Sequence, residues 1–202
     1  MSKTIVIVGN GEPTANVSAA VDAADEVIRF GQTPYRDGGL VGHRTTVLVL
    51  RAFALPRPVG RLNFPCVLNV DKVWLLADEN YKGRQLLQHE DEDALAARMA
   101  KLYEPHIQDC ELVRDKHIEF PSNNVRSSLR EQFRSKGFAN GSSSRTEPSA
   151  GMWVTAWVVS LPRYAGWNVK LAGFAMAYPS HPLAYEKEAL ERLERLGAIE
   201  RL

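Results

Sequence analysis

Apolar positions along this chain fall into two patterns: unbroken β-branched runs, and alanine- or leucine-rich stretches with a polar face. Ile5-Val6-Ile7-Val8 is the purest example of the first. With no polar alternation it reads as a strand buried on both faces, as central parallel strands are. Asp25 to Phe30, Arg44 to Leu50 and the Val73-Trp74-Leu75-Leu76 core of 71–77 read as further strands. So does Trp167 to Ala172, which ends at Gly173-Phe174.

Helical patterns lie between these runs. Val17 to Ala24 is alanine-rich and predicts a short helix, capped by Thr14 or Asn16. The acidic run 90–93 precedes Ala94-Leu95-Ala96-Ala97-Arg98-Met99, placing negative charge at the favourable end of a helix. Ser122 to Lys136 predicts another, with Ser122 or Asn123 as cap. Met152 to Leu161 is almost wholly apolar, so periodicity admits both a strand and a buried helix. Its length and its Pro148-Ser149 opening favour a helix capped near Ser149. Leu183 to about Leu196 is amphipathic and stops at Gly197. Residues 51–70 match neither pattern, and Asn140-Gly141-Ser142-Ser143-Ser144 is a polar patch read as a mobile loop.

Strand, helix, strand within about fifty residues begins a doubly wound sheet with right-handed crossovers. The fold class expected is therefore α/β: a single Rossmann-like domain over residues 1–202, its mostly parallel, twisted sheet covered by helices on both faces.

Composition narrows the function. At 202 residues, 45% hydrophobic and 24% charged, the chain has the make-up of an ordinary globular domain with room for a core. A net charge of +1 argues against a general nucleic-acid binder. There is no signal-peptide pattern and no apolar run long enough to span a bilayer. Cys66 and Cys110 have no metal-ligand spacing, and a reduced, cytoplasmic location is expected. His43, His89, His106 and His117 show no mutual spacing for a metal and read as surface residues.

Two stretches carry chemistry. Gly9-Asn10-Gly11 follows the first strand, at the carboxyl end where α/β sheets bind ligands. Gly11 is followed by Glu12-Pro13-Thr14, so the three-glycine dinucleotide fingerprint is incomplete. Asn10 reads either as a ligand contact or as a turn residue. Ser149-Ala150-Gly151 opens a helix, whose unpaired N–H groups make a phosphate site. Arg29, at the end of the second strand, either reaches a ligand or forms a structural ion pair. Trp153 and Trp157, four apart on a helix, read as core.

Three motifs in order resemble those of the eukaryotic-type sialyltransferases, including short bacterial relatives of the kind labelled urease operon accessory proteins. The long motif is matched by Val8-Gly9-Asn10, Asp25-Glu26-Val27-Ile28-Arg29 and Val41-Gly42-His43-Arg44-Thr45-Thr46. The short motif is matched by Pro148-Ser149-Ala150-Gly151 with Gly173-Phe174, and the very short one by His181 and Glu186, then Leu190, Leu193 and Gly197-Ala198-Ile199. The matches cover residues 4–50 and 148–200 and leave the middle third uncovered.

The resemblance implies a sialyltransferase-like variant of the GT-A fold that binds CMP-sialic acid or a relative. It implies transfer of the sugar with inversion to an unknown acceptor, with CMP-sugar as donor substrate and neither cofactor nor metal. His181 matches the general base, an imidazole that titrates near neutral pH. Gly9, Asn10, Gly11, Arg29, Gln32, Ser149, Ala150 and Gly151 match the donor region. Gly173 and Glu186 are supporting residues, Glu186 expected to secure the His181 loop. The chain departs from the pattern at Gly31 and Ala150, and the family's aromatic third motif has no counterpart in the six residues between Phe174 and His181. An active transferase and a non-catalytic nucleotide- or sugar-binding accessory protein on the same fold both remain open. An NAD-linked oxidoreductase would need an acidic residue where Arg29-Phe30 ends the second strand.

Overall fold

The computed structural model describes residues 2–31, 39–52, 55, 70–77, 92–135, 147–174 and 183–202. Gln32, His89, the 140–144 patch and His181, and most of 53–69, lie outside them.

The strands are β1 (Thr4–Val8), β2 (Glu26–Phe30), β3 (Val47–Arg51), β4 (Lys72–Leu76), β5 (His117–Glu119), β6 (Asn168–Ala172) and β7 (Glu200–Arg201). They form one sheet in the order β5-β4-β3-β2-β1-β6-β7, and every pairing is parallel. From β1 the chain steps outward to β5, then returns to lay β6 and β7 on the other side of β1. The crevice between the carboxyl ends of β1 and β6 is thus the topological switch point, where open α/β sheets hold ligands.

The helices are α1 (Ser18–Asp22), α2 (Glu92–Gln108), α3 (Asn123–Ser135), α4 (Ala150–Ser160) and α5 (Leu183–Arg195). Alternate strand residues face opposite sides, and each side has its own cover. Ile5, Ile7, Ile28, Val49 and Trp74 pack with Leu129 and Phe133 of α3, Trp153 and Trp157 of α4, and Leu190 of α5. Leu48, Leu50, Val73 and Leu75 pack with Met99, Tyr103 and Ile107 of α2. Val6, Val8 and Val27 pack with Val21 of α1 and with Ala24 and Val41. That two-sided burial is why Ile5 to Val8 needed no polar positions.

The apolar run 152–161 is a helix. Ser149 accepts a hydrogen bond from the Met152 amide, and six residues of α4 are buried. Trp157 meets Trp74 edge-on with ring centroids 4.8 Å apart, so both tryptophans of α4 belong to the core as expected. One expectation needs adjustment, one of two caps is selected, and two strands were not expected. Helix α1 has five residues rather than eight, with Val17 at the cap position; Asn16 Oδ1 instead accepts from the Ser18 amide and hydroxyl. Helix α3 is capped by Ser122, whose Oγ accepts from the Val125 amide. The short strands β5 and β7 escaped the pattern because edge strands with polar, partly exposed residues carry no apolar run.

Candidate functional site

At the switch point the β1–β6 ladder continues past both strands. The Gly9 amide donates to the Ala172 carbonyl and the Gly11 amide to the Gly173 carbonyl, each at 2.8 Å. The backbones approach so closely that a Cβ on Gly9 would lie 2.5 Å from the Gly173 carbonyl oxygen. Gly173 has φ +66°, and its own Cβ would sit 2.9 Å from the Gly9 oxygen. Gly9 and Gly173 are therefore required by backbone packing, and the amides of Gly9 and Gly11 are already bonded. Gly151 is likewise explained by a neighbour: a Cβ there would fall 2.8 Å from the Phe174 ring, which also lies over Gly9.

Asn10 sits between the two bonded glycines. Its Oδ1 is enclosed and has no hydrogen-bond partner among the described residues. A buried acceptor left unmade costs about 1–3 kcal/mol, so this atom stands out. Beside the junction a cleft of about 200 Å³ is walled by Glu12, Thr14, Val17, Gly173, Phe174 and Arg201, among others.

The amino end of α4 is organised by Glu186, from the first turn of α5. Its side chain is 3% exposed. The Ser149 amide donates to one carboxylate oxygen, and the Ser149 hydroxyl donates to the other at 2.8 Å. Ser149 Oγ in turn accepts from the Met152 amide at 3.1 Å. This is a capping box closed from another helix instead of from within α4. Glu186 was expected to secure the His181 loop; among the described residues both its oxygens hold Ser149. The consequence for anion binding is direct: Ser149's donors already face a carboxylate. The amides of Ala150 and Gly151, which have no intrahelical acceptor in the first turn, are the ones left to meet a ligand.

Arg29 is bound to backbone carbonyls of the 41–44 segment. It is 1% exposed, its Nε donates to the Arg44 carbonyl, and Nη2 donates to those of Val41 and Gly42 at 2.6 and 2.9 Å. The guanidinium thus shapes the 41–46 segment. Asp22 Oδ1 braces the same segment, accepting from the His43 and Arg44 amides at 2.8 Å each. Gly42 has φ +66°, and a Cβ there would lie 2.4 Å from that oxygen. Thr46 Oγ1 accepts from the Val27 amide and donates to the Val27 carbonyl. The Val41–Thr46 part of the long motif is a clasp onto β2, and no local signal in sequence marks Asp22 as its other half.

The structure therefore brings Gly9, Asn10, Gly11, Ser149, Ala150, Gly151, Gly173 and Glu186 to one edge, while Arg29 serves the scaffold beneath. Glu12, Thr14 and Arg201 line the cleft beside the junction, and the sequence patterns gave none of them a ligand role. Among the described residues no group of three or more His, Cys, Asp or Glu side chains could hold a metal ion. None of their helices is long and apolar enough to cross a membrane.

No family model matches the chain. Over almost its whole length it is similar to the urease operon 23 kDa accessory protein of Rhizobium meliloti, 28% identical over 214 residues that span 99% of this chain and 93% of that protein. Its fold is that of solved sialyltransferases. A mammalian sialyltransferase in complex with Gal-beta-1-3GalNAc-ortho-nitrophenol superposes with TM-score 0.60 at 13% identity, over 100% of this chain and 69% of that one. The apo alpha-2,3-sialyltransferase of Campylobacter jejuni gives 0.55 at 15% identity, over 100% and 75%. A Campylobacter jejuni sialyltransferase solved with cytidine-5'-monophosphate gives 0.53 at 16% identity, over 100% and 78%. The fold expected from the three motifs is the fold observed.

Proposed function

We propose that this chain is a glycosyltransferase-like protein that binds a CMP-activated sugar, sialic acid or a relative, at the edge between β1, β6 and the start of α4. The observation that carries the reading is the enclosed Asn10 Oδ1 with no partner. A nucleotide's ribose hydroxyls or cytosine amino group supply the donor that this acceptor lacks. The amides of Ala150 and Gly151 suit the phosphate, and Gln32, which follows Gly31 after β2, is proposed as a further donor contact. Charge developing on the leaving cytidine phosphate would be stabilised at that helix end. In the reaction the acceptor oxygen attacks the anomeric carbon from the face opposite the phosphate. The bond to CMP breaks with inversion, and His181 takes the acceptor's proton.

A second reading, a non-catalytic nucleotide- or sugar-binding accessory protein, is favoured by Gly31 and Ala150 and by the whole-length similarity to the Rhizobium accessory protein. Calorimetric titration with CMP, CDP, UDP and NAD, on the parent and on Asn10→Ala, tests the shared premise. CMP binding weakened about tenfold in Asn10→Ala supports the site, and turnover of CMP-sialic acid abolished in His181→Ala supports the transferase. CMP binding without turnover selects the accessory reading. Failure to bind any cytidine nucleotide refutes both.

A further inference from the structure

The chain enters α4 through three residues that are each held in place. Glu147 is gripped by α3. Arg126 donates to its Oε2 through Nε at 3.2 Å and Nη2 at 2.9 Å, and Arg130 donates to the same oxygen through Nη2 at 3.1 Å. Arg130 Nε stands 2.8 Å from the other carboxylate oxygen. Pro148 is buried, and its ring fixes its own φ. Ser149 is held by Glu186 of α5. The first turn of α4 is tied to α3 as well: Trp153 Nε1 donates to the Ser122 carbonyl at 2.8 Å, and the Arg126 guanidinium lies over the Trp153 ring, 5.1 Å from its centroid. Arg126 therefore touches both the entry to α4 and its first turn.

Both arginine side chains are largely withdrawn from water, at 10% and 13% exposure. Buried ion pairs add little net stability, and apolar side chains of similar volume often serve a core as well. What a guanidinium adds is direction, because its donors form a rigid, planar fork. Nor does the cluster offer a spare charge, since its two guanidiniums are matched by the carboxylates of Glu147 and Glu186. A phosphate at this end of α4 meets the helix dipole and the amides of Ala150 and Gly151, and the aim of those amides is set by residues 147 and 149.

We infer that Arg126 and Arg130 are positioning residues for the phosphate end of the site, an assignment that rests on the CMP-sugar reading proposed above. Through Glu147 they hold the Ala150 and Gly151 amides in line for the phosphate. They act by the geometry of their forks, so positive charge alone does not replace them.

The test separates phosphate from nucleoside. CMP is titrated calorimetrically into the full chain, and cytidine is measured by its competition with CMP. The proteins are the parent, Glu147→Gln, and the double variant Arg126→Lys/Arg130→Lys, which keeps the charge and removes the forks. The expected result is a preference for CMP over cytidine that falls at least about threefold in both variants, with cytidine affinity within about twofold of the parent. A clamp that serves stability alone lowers the urea midpoint and leaves this preference unmoved. Arg130→Lys alone gives the same readout where the double variant does not fold. A smaller fall in either variant, a rise in Glu147→Gln, or equal weakening of CMP and cytidine overturns the inference while leaving the nucleotide site standing. A parent that binds no CMP overturns it together with the reading on which it rests.

Discussion

Glu186→Gln probes the joint between α4 and α5 on which the site's geometry depends. In the parent, both carboxylate oxygens accept, one from the Ser149 amide and one from the Ser149 hydroxyl. A glutamine keeps one acceptor and turns the other into a donor. If its oxygen takes the amide, its NH2 faces a hydroxyl that then loses its own acceptor. One charge-assisted hydrogen bond is lost and one donor is stranded at a position 3% exposed. Hydrogen bonds to charged groups contribute about 1.5–3 kcal/mol, so the variant should lose about 2–3 kcal/mol. For a domain of this size that lowers Tm by roughly 4–10 °C. Urea denaturation of the parent, Glu186→Gln, Ser149→Ala and the double variant closes a cycle, with an expected coupling above about 1 kcal/mol. An unchanged urea midpoint in Glu186→Gln, or single-variant losses that simply add, would refute the trans-helix cap.

Three further outcomes follow from the geometry. Gly42→Ala combines about 1–2 kcal/mol of left-handed backbone cost with displacement of Asp22 from two amides, whereas Gly166→Ala, at φ +78° with open space around it, should show the backbone cost alone; equal losses by denaturant titration would contradict the clasp. Arg29→Lys should cost at least about 3 kcal/mol, because an ammonium cannot reproduce the fork onto the carbonyls of Val41, Gly42 and Arg44, and a loss below about 1 kcal/mol would reject the scaffold role. Burial, and then the neighbouring Glu26 carboxylate, push the Tyr164 phenol well above its ordinary range. A folded-state pKa raised above the unfolded value gives stability that is complete below about pH 10 and lost as pH rises beyond it. Thermal melts from pH 8 to 11 should therefore show a steeper alkaline decline for the parent than for Tyr164→Phe; parallel curves would count against it.

Much of the fold was legible in the chain. Runs such as Ile5–Val8 and Val47–Leu50 declare a sheet buried on both sides, since no polar residue tolerates either face. Ser149 announced its helix because capping is a local transaction between a side chain and an amide three residues on. Edge strands β5 and β7 were silent, because pairing at an edge needs a neighbour's backbone and little burial. The candidate site divides the same way. Residue types and spacing singled out Asn10, the glycines, Ser149 and Glu186, and motif order together with internal spacing carried the resemblance among them. Only tertiary contacts decided what each does. Gly9 answers to a carbonyl 164 positions later in sequence, Gly151 to a ring, Arg29 to three carbonyls, and Glu186 to a serine on another helix. These partners stand from 12 to 164 positions away in sequence, and hydrogen bonding and close packing between separated segments leave no local pattern to read.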